Sequence, residues 1–140
     1  MLAAEGLSLN EVIGLCRDGI REVRRTPEER RDYVVQVGLI ELLLAATELR
    51  WRTERQPDAV MEALAEEGVR AAGLSPIPQV LSARMIMLQG KIALHADTID
   101  EAVRLLGEAH RLAHEAGDPC TIFRSKLCRR ASRKHKCLVC

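Results

Sequence analysis

The residues with the clearest chemical potential are two histidines and a group of cysteines. His110 and His114 stand one helical turn apart in His-Arg-Leu-Ala-His, a spacing that can present two imidazoles to one metal ion. The stretch lacks the acid that an HExxH site places between its histidines. The competing assignment, one partly buried histidine and one on the surface, is favoured. Cys120, Cys128, Cys137 and Cys140 crowd the end of the chain, with His135 among them. Their separations, seven, eight and two intervening residues, match no common zinc ribbon or knuckle, although Cys137 and Cys140 form a usable half-site. Nearby positive charge would favour thiolates there. Free thiols in a basic tail are the simpler reading, and no metal or cofactor is expected. Cys16 falls on an apolar helix face and reads as core. One internal cysteine without a paired framework fits a reducing compartment, so a cytoplasmic location is expected.

Two modification patterns occupy the same tail. Cys137-Leu138-Val139-Cys140 resembles a prenylation box, preceded by a polybasic run as in lipidated small GTPases. A prenyl chain on Cys137 plus basic charge would make a two-signal membrane anchor. The final Cys is not a usual last residue for that box, and no Gly-rich phosphate loop accompanies it. Arg129-Arg130-Ala131-Ser132 resembles a basic-directed phosphorylation site, whose added charge would weaken such an anchor. A solvated basic end is the stronger reading of both.

The elements that must position these groups are helices. Pro76 to Pro119 reads as a helical hairpin. Leu81, Met85, Leu88 and Ile92 mark one face of its first helix, at steps of four, three and four. Ala102, Leu106, Ala109, Ala113 and Ala116 mark its second, with Ile99 and Val103 beside them. Asp97 or Thr98 can cap that second helix, and Gly117 can close it as a left-handed C′ residue. Upstream, 9–25 is predicted helical with Ser8 or Asn10 as cap and Leu9, Val12, Ile13, Cys16, Ile20 and Val23 inward. Thr26-Pro27-Glu28-Glu29 signals a new start. The helix at 29–53 is apolar on more than one face, with Val35, Leu39, Leu42, Ala46 and Leu49 as its main stripe. A further helix is expected at 58–72, with Val60, Met61, Leu64, Val69 and Ala72 inward and Gly73 closing it. The hairpin helices fall at 77–95 and 99–116. Leu42, Leu88 and Leu106 are the expected core.

The hairpin resembles a tetratricopeptide repeat. Gly90, Ala102, Leu106 and Ala109 hold that family's small and apolar places with its spacing, while Ile86 and Ala93 stand where it has aromatics, and His114 where it has its closing proline. The likeness is to divergent, long-helix repeats such as those of large bacterial signalling ATPases and LuxR-type regulators. It implies an all-α fold: antiparallel hairpins forming an α-solenoid fragment of about five helices plus a basic tail. A short echo agrees with it. Asp18-Gly19-Ile20-Arg21, Glu67-Gly68-Val69-Arg70 and Glu108-Ala109-His110-Arg111 share acid, small, variable, Arg, each in the second helix of a unit. The chain then starts on a second helix and ends where a first helix should be.

Composition bounds the function. Aromatics are 2% of 140 residues, only Tyr33, Trp51 and Phe123, so Leu, Val, Ile, Met and Ala must build the core, which favours helices. No apolar run reaches the roughly 20 residues of a membrane span. Met1 to Leu9 has no basic-then-apolar pattern, so no secretory leader is expected. The net charge of +1 hides an asymmetry: 121–140 holds seven Lys/Arg and no acid, so an acidic body carries a basic tail. Residues 1–119 are taken as a helical-repeat domain and 120–140 as a basic, Cys-rich tail, partly helical or disordered. Nucleic-acid contact through the tail would be nonspecific, because only Phe123 could stack on a base. No catalytic residue is assigned. The expected role is a non-catalytic protein-protein interaction module, a scaffold within a signalling or transcriptional regulator. The alternatives are an adaptor targeted to a membrane or nucleic acid by its tail, and a small metal-binding helical protein. The partner is expected to be a protein or a second copy, met through the end helices: Val12, Ile20 and Val23 at the front, Ile99, Val103 and Leu112 at the back.

Overall fold

The computed structural model describes residues 6–53 and 59–139; the side chains of 49–53 and 132–139 lie outside that description. Among the described residues the chain is all-α. The helices are α1 (Leu9–Arg25), α2 (Tyr33–Thr53), α3 (Ala59–Leu74), α4 (Pro78–His95), α5 (Ile99–Ala116) and α6 (Pro119–Val139), with a 3-10 turn at Glu28–Arg30. Each helix packs on the next in sequence order. In addition α2 touches α4, and α4 touches α6, whereas α1, α3 and α5 make no backbone approach to one another among the described residues. The even-numbered helices therefore form a close inner layer and the odd-numbered ones a splayed outer layer. A stack with one tight and one open layer curves toward the tight side.

Local signals set the helix ends, with some differences from expectation. Ser8 caps α1, accepting from the Glu11 N–H at 3.2 Å. The 29–53 helix begins later, at Tyr33. After Pro27 the chain makes only a 3-10 turn, and Arg31 folds back to donate to the carbonyls of Arg24 and Thr26. Asp32 then supplies the cap, accepting from Val35 N–H at 3.1 Å. Gly73 does not close α3, which runs on to Leu74. Ser75 closes it instead, its hydroxyl donating to the Ala72 carbonyl at 2.7 Å. At the α4–α5 turn Asp97 takes a left-handed φ of 62°, and Thr98 precedes α5 without capping it by its side chain. The Thr98 hydroxyl donates backwards to Ala93 at 2.9 Å. Gly117 ends α5 in the left-handed region, φ 69°, as expected. The basic tail is helical through α6 and packs on α5 and α4.

The core departs from expectation mainly on α2. Leu88 and Leu106 are buried, but Leu42 is 51% exposed and Val35 47%. The buried face runs through Gln36, Val37, Ile40, Leu43, Leu44 and Thr47. Two of these are polar, which hides the face in an apolar helix. Both are engaged: the Gln36 amide donates to Glu67 at 2.8 Å, and the Thr47 hydroxyl bonds back to the Leu43 carbonyl at 3.0 Å. Val60 is also exposed, while Met61 and Leu64 are buried beside it. Ile20 is buried rather than open at the front. At the back, α6 turns Thr121 and Ser125 inward, packs Cys128 on the Met87, Leu106 and Ala109 cluster, and leaves Phe123 and Leu127 exposed rather than capping.

Close approach of the helices depends on two glycines. A Cβ at Gly90 would lie 2.7 Å from Leu106 Cγ, and one at Gly68 would collide with Met85. Within the echo, Gly19 lies against Leu39 of the following inner helix, Gly68 against Met85 of its own, and Ala109 is fully buried. In the first two units the shared small residue thus marks where an outer helix meets the next inner one.

Candidate interaction groove

Three ion pairs staple helices two apart in the chain, and each joins residues 43 apart. Arg24 of α1 holds Glu67 of α3. Arg84 of α4 holds Glu41 of α2 through two contacts, one at 3.1 Å. Lys91 of α4 holds Glu48 of α2 at 2.5 Å, with both side chains mostly buried. Burial alone would raise the Glu67 carboxyl, but hydrogen bonds from Arg24 and Gln36 outweigh it and hold it below the usual range. The common interval was available in the sequence; what was missing was knowledge of which helices lie side by side.

The inner layer carries a groove of about 390 Å³ across α2, α4 and α6. Gly38, Leu42 and Ala45 of α2 form one wall, Leu88 lies at its floor, and the Glu41–Arg84 and Glu48–Lys91 pairs run along it. Arg124 of α6 closes it. Beyond Arg84 and Arg124 the groove continues into a second depression of about 480 Å³, bounded by Val80, Gly117 and Thr121. Val35, Gly38, Leu42 and Ala45 are all exposed and follow one another at steps of three, four and three. Arg84 and Lys91 are neutralised by their carboxylates. Arg124 has no hydrogen bond or ion pair among the described residues.

A depression of about 360 Å³ lies on the outer side, between α3 and the α4–α5 hairpin. Glu62, Glu66, Glu101 and Arg104 rim it, and Arg104 is bonded to Glu101 at 3.0 Å. Ala65, Ile92, Ala93 and half-buried Leu105 lie beneath that charged rim.

The histidines lie elsewhere, at the contact of α5 with α6. His110 is partly buried and its Nδ1 stands 3.0 Å from Ser125 Oγ. The Ser125 hydroxyl donates to the Ile122 carbonyl at 2.9 Å, so it accepts from His110 Nδ1–H, which leaves Nε2 as the bare nitrogen of the neutral ring. His114 is exposed, with the two rings nearly perpendicular, 4.8 Å between centroids. Burial, His114, Arg129 and Lys126 all push the His110 pKa down. Among the described residues no three His, Cys, Asp or Glu side chains gather as a metal site needs. Cys16 is buried and Cys120 exposed. Burial raises the Cys128 thiol despite Lys91 and Arg124 nearby, contrary to the expected thiolate character. The side chain of Cys137, Cys140 and the side chains of His135 and Ser132 lie outside the described part, and with them the half-site, the prenylation box and the phosphorylation pattern. No helix among the described residues is long and apolar enough to cross a membrane. Searches against protein-family models, curated proteins and solved structures find no match.

Proposed function

We propose that this chain is a non-catalytic protein-interaction module, a divergent tetratricopeptide-like scaffold of a cytoplasmic regulator, whose inner groove receives a segment of a partner. The observation that carries this reading is the exposed apolar strip on α2. Val35 and Leu42 are exposed on the inner layer, and Leu42 lines the groove with its small neighbours Gly38 and Ala45, uncovered among the described residues. A contiguous apolar surface of this kind on a soluble fold marks a binding face. The ion-paired floor adds rigidity without net charge. In-cell photo-crosslinking is the test. A crosslinking residue at Leu42 should give a discrete protein adduct, and one at Leu15, a somewhat more exposed leucine on α1, should not. Equal background from both positions would sink the reading, and an adduct of twice the chain's mass would make the partner a second copy.

A second reading draws on α6, whose exposed Phe123 and Leu127 sit among Lys126 and Arg130. A basic amphipathic surface suits an anionic membrane or nucleic acid. Binding to anionic vesicles or to duplex DNA that falls steeply with salt, and survives Leu42→Asp, would favour it.

A further inference from the structure

We infer that the inner groove takes an acidic amphipathic α-helix from a partner protein, laid along α2 with a carboxylate on Arg124. The inference rests on the interaction-module reading and adds the partner's shape and charge.

The shape comes from the strip. Val35, Gly38, Leu42 and Ala45 repeat at the three-and-four spacing of a helix–helix seam, over roughly 15 Å at the helical rise. Large and small residues alternate along it, which leaves holes for the side chains of a facing helix. Gly38 is the telling member. A glycine inside a helix costs about 1 kcal/mol relative to alanine. Gly68 and Gly90 have an internal reason, since a Cβ at either would strike Met85 or Leu106. Gly38 has none: a Cβ there meets nothing within 4 Å, and its site opens into the groove. Gly14 and Gly107 are likewise uncrowded, but neither lines a groove described above. A bare backbone facing the groove permits a second helix to approach closely.

The charge comes from the groove's ion balance. Glu41 and Glu48 are matched by Arg84 and Lys91, and Asp118 of the adjoining depression is held by Thr121, so among the described residues Arg124 is the lining cation with no hydrogen bond or ion pair. Arg124 is followed on α6 by Lys126, Arg129 and Arg130, with no acid from residue 121 onward. An acidic helix therefore gains on approach, and a basic one is repelled.

The test is a selection of displayed random peptides of about 16 residues, roughly four helical turns, with the full chain as bait. The enriched peptides are expected to be net acidic, to carry apolar residues at three-and-four spacing, and to lack internal proline. A Gly38→Leu bait should weaken the selected peptide by roughly tenfold or more while its thermal midpoint stays level or rises. Arg124→Glu should weaken acidic peptides and spare a charge-neutralised version of the same sequence. Enriched peptides that hold proline at their centre, or that are net basic, would overturn the proposal, as would equal recovery on the Gly38→Leu bait. A concentration-dependent dimer abolished by Gly38→Leu would overturn it too, by making a second copy the occupant. These failures differ from failure of the module reading itself, which would appear as no specific crosslink from position 42.

Discussion

Helix α4 opens on Pro78 and α6 opens on Pro119, and both lie in the inner layer. Counted from those prolines, the α4 stripe Leu81, Met85, Leu88, Ile92 falls on Ile122, Lys126, Arg129, Arg133 of α6. The first set is buried at 5% exposure or less, while Lys126 is exposed and Ile122 and Arg129 only partly covered. Among the described residues helix α4 has α2, α3, α5 and α6 around it, whereas α6 has α5 and α4. The contact that α6 makes is mixed: a Ser125–His110 hydrogen bond beside Cys128, which packs on the Met87, Leu106 and Ala109 cluster. A fully buried apolar side chain contributes about 1.5–3 kcal/mol, against about 0.5–1.5 for a net hydrogen bond. Number of neighbours, more than helix propensity, separates a structural strut from a loosely held edge.

The sharpest way to test that difference is at the α4–α5 contact. Leu106→Ala should cost on the order of 2–5 kcal/mol, because Leu106 is fully buried against Gly90 and its loss leaves a cavity there. An unchanged denaturant midpoint would show that this contact is not the strut. Gly90→Ala comes next, at about 1–3 kcal/mol from overpacking against Leu106, partly offset by better helix propensity. By contrast Leu127→Ala on α6 should stay within about 0.5 kcal/mol, as an exposed position.

The fold was legible where apolar residues alone define a face. The α4 stripe is buried as the periodicity predicts, as is the α5 stripe except for half-buried Ala116, and the α5 boundaries agree to the residue. It was not legible on α2. A helix apolar on several faces has no single hydrophobic direction, and the true face includes Gln36 and Thr47, so periodicity points instead to the cleaner strip through Leu42, which lines the groove. Conversely, Glu41, Glu48, Arg84 and Lys91 look like ordinary surface charge until the stacking order pairs them.

Acid should separate α4 from α6 by exchange rate. The folded state holds His110 below its ordinary pKa, through burial and the charges of His114, Arg129 and Lys126. A depressed pKa favours folding above the unfolded value, about 6.5, and that contribution is lost as pH falls through the folded value. Protonation puts a cation between α5 and an already basic α6. Amides of α6 should therefore lose hydrogen-exchange protection, after correction for intrinsic rates, between neutral pH and about pH 5, before those of α4. Replacing His110 with Phe should remove that dependence. If α4 and α6 lose protection together at every pH, the two helices belong to one cooperative unit and the comparison fails.

A small effect carries the most information about the groove. Gly38 in α2 and Gly90 in α4 are both mid-helix glycines of the inner layer, so propensity predicts the same gain for alanine at each. Their surroundings differ: the Gly90 Cβ would lie 2.7 Å from Leu106, while the Gly38 Cβ would meet nothing. Gly38→Ala should thus raise stability by about 0.5–1 kcal/mol, opposite in sign to Gly90→Ala. Thermal and denaturant midpoints of the two variants, measured side by side, decide it. Destabilisation by Gly38→Ala would mean that the strip along α2 is already covered within the fold. A gain would leave the glycine without any structural purpose inside the chain, so that what it accommodates must come from outside.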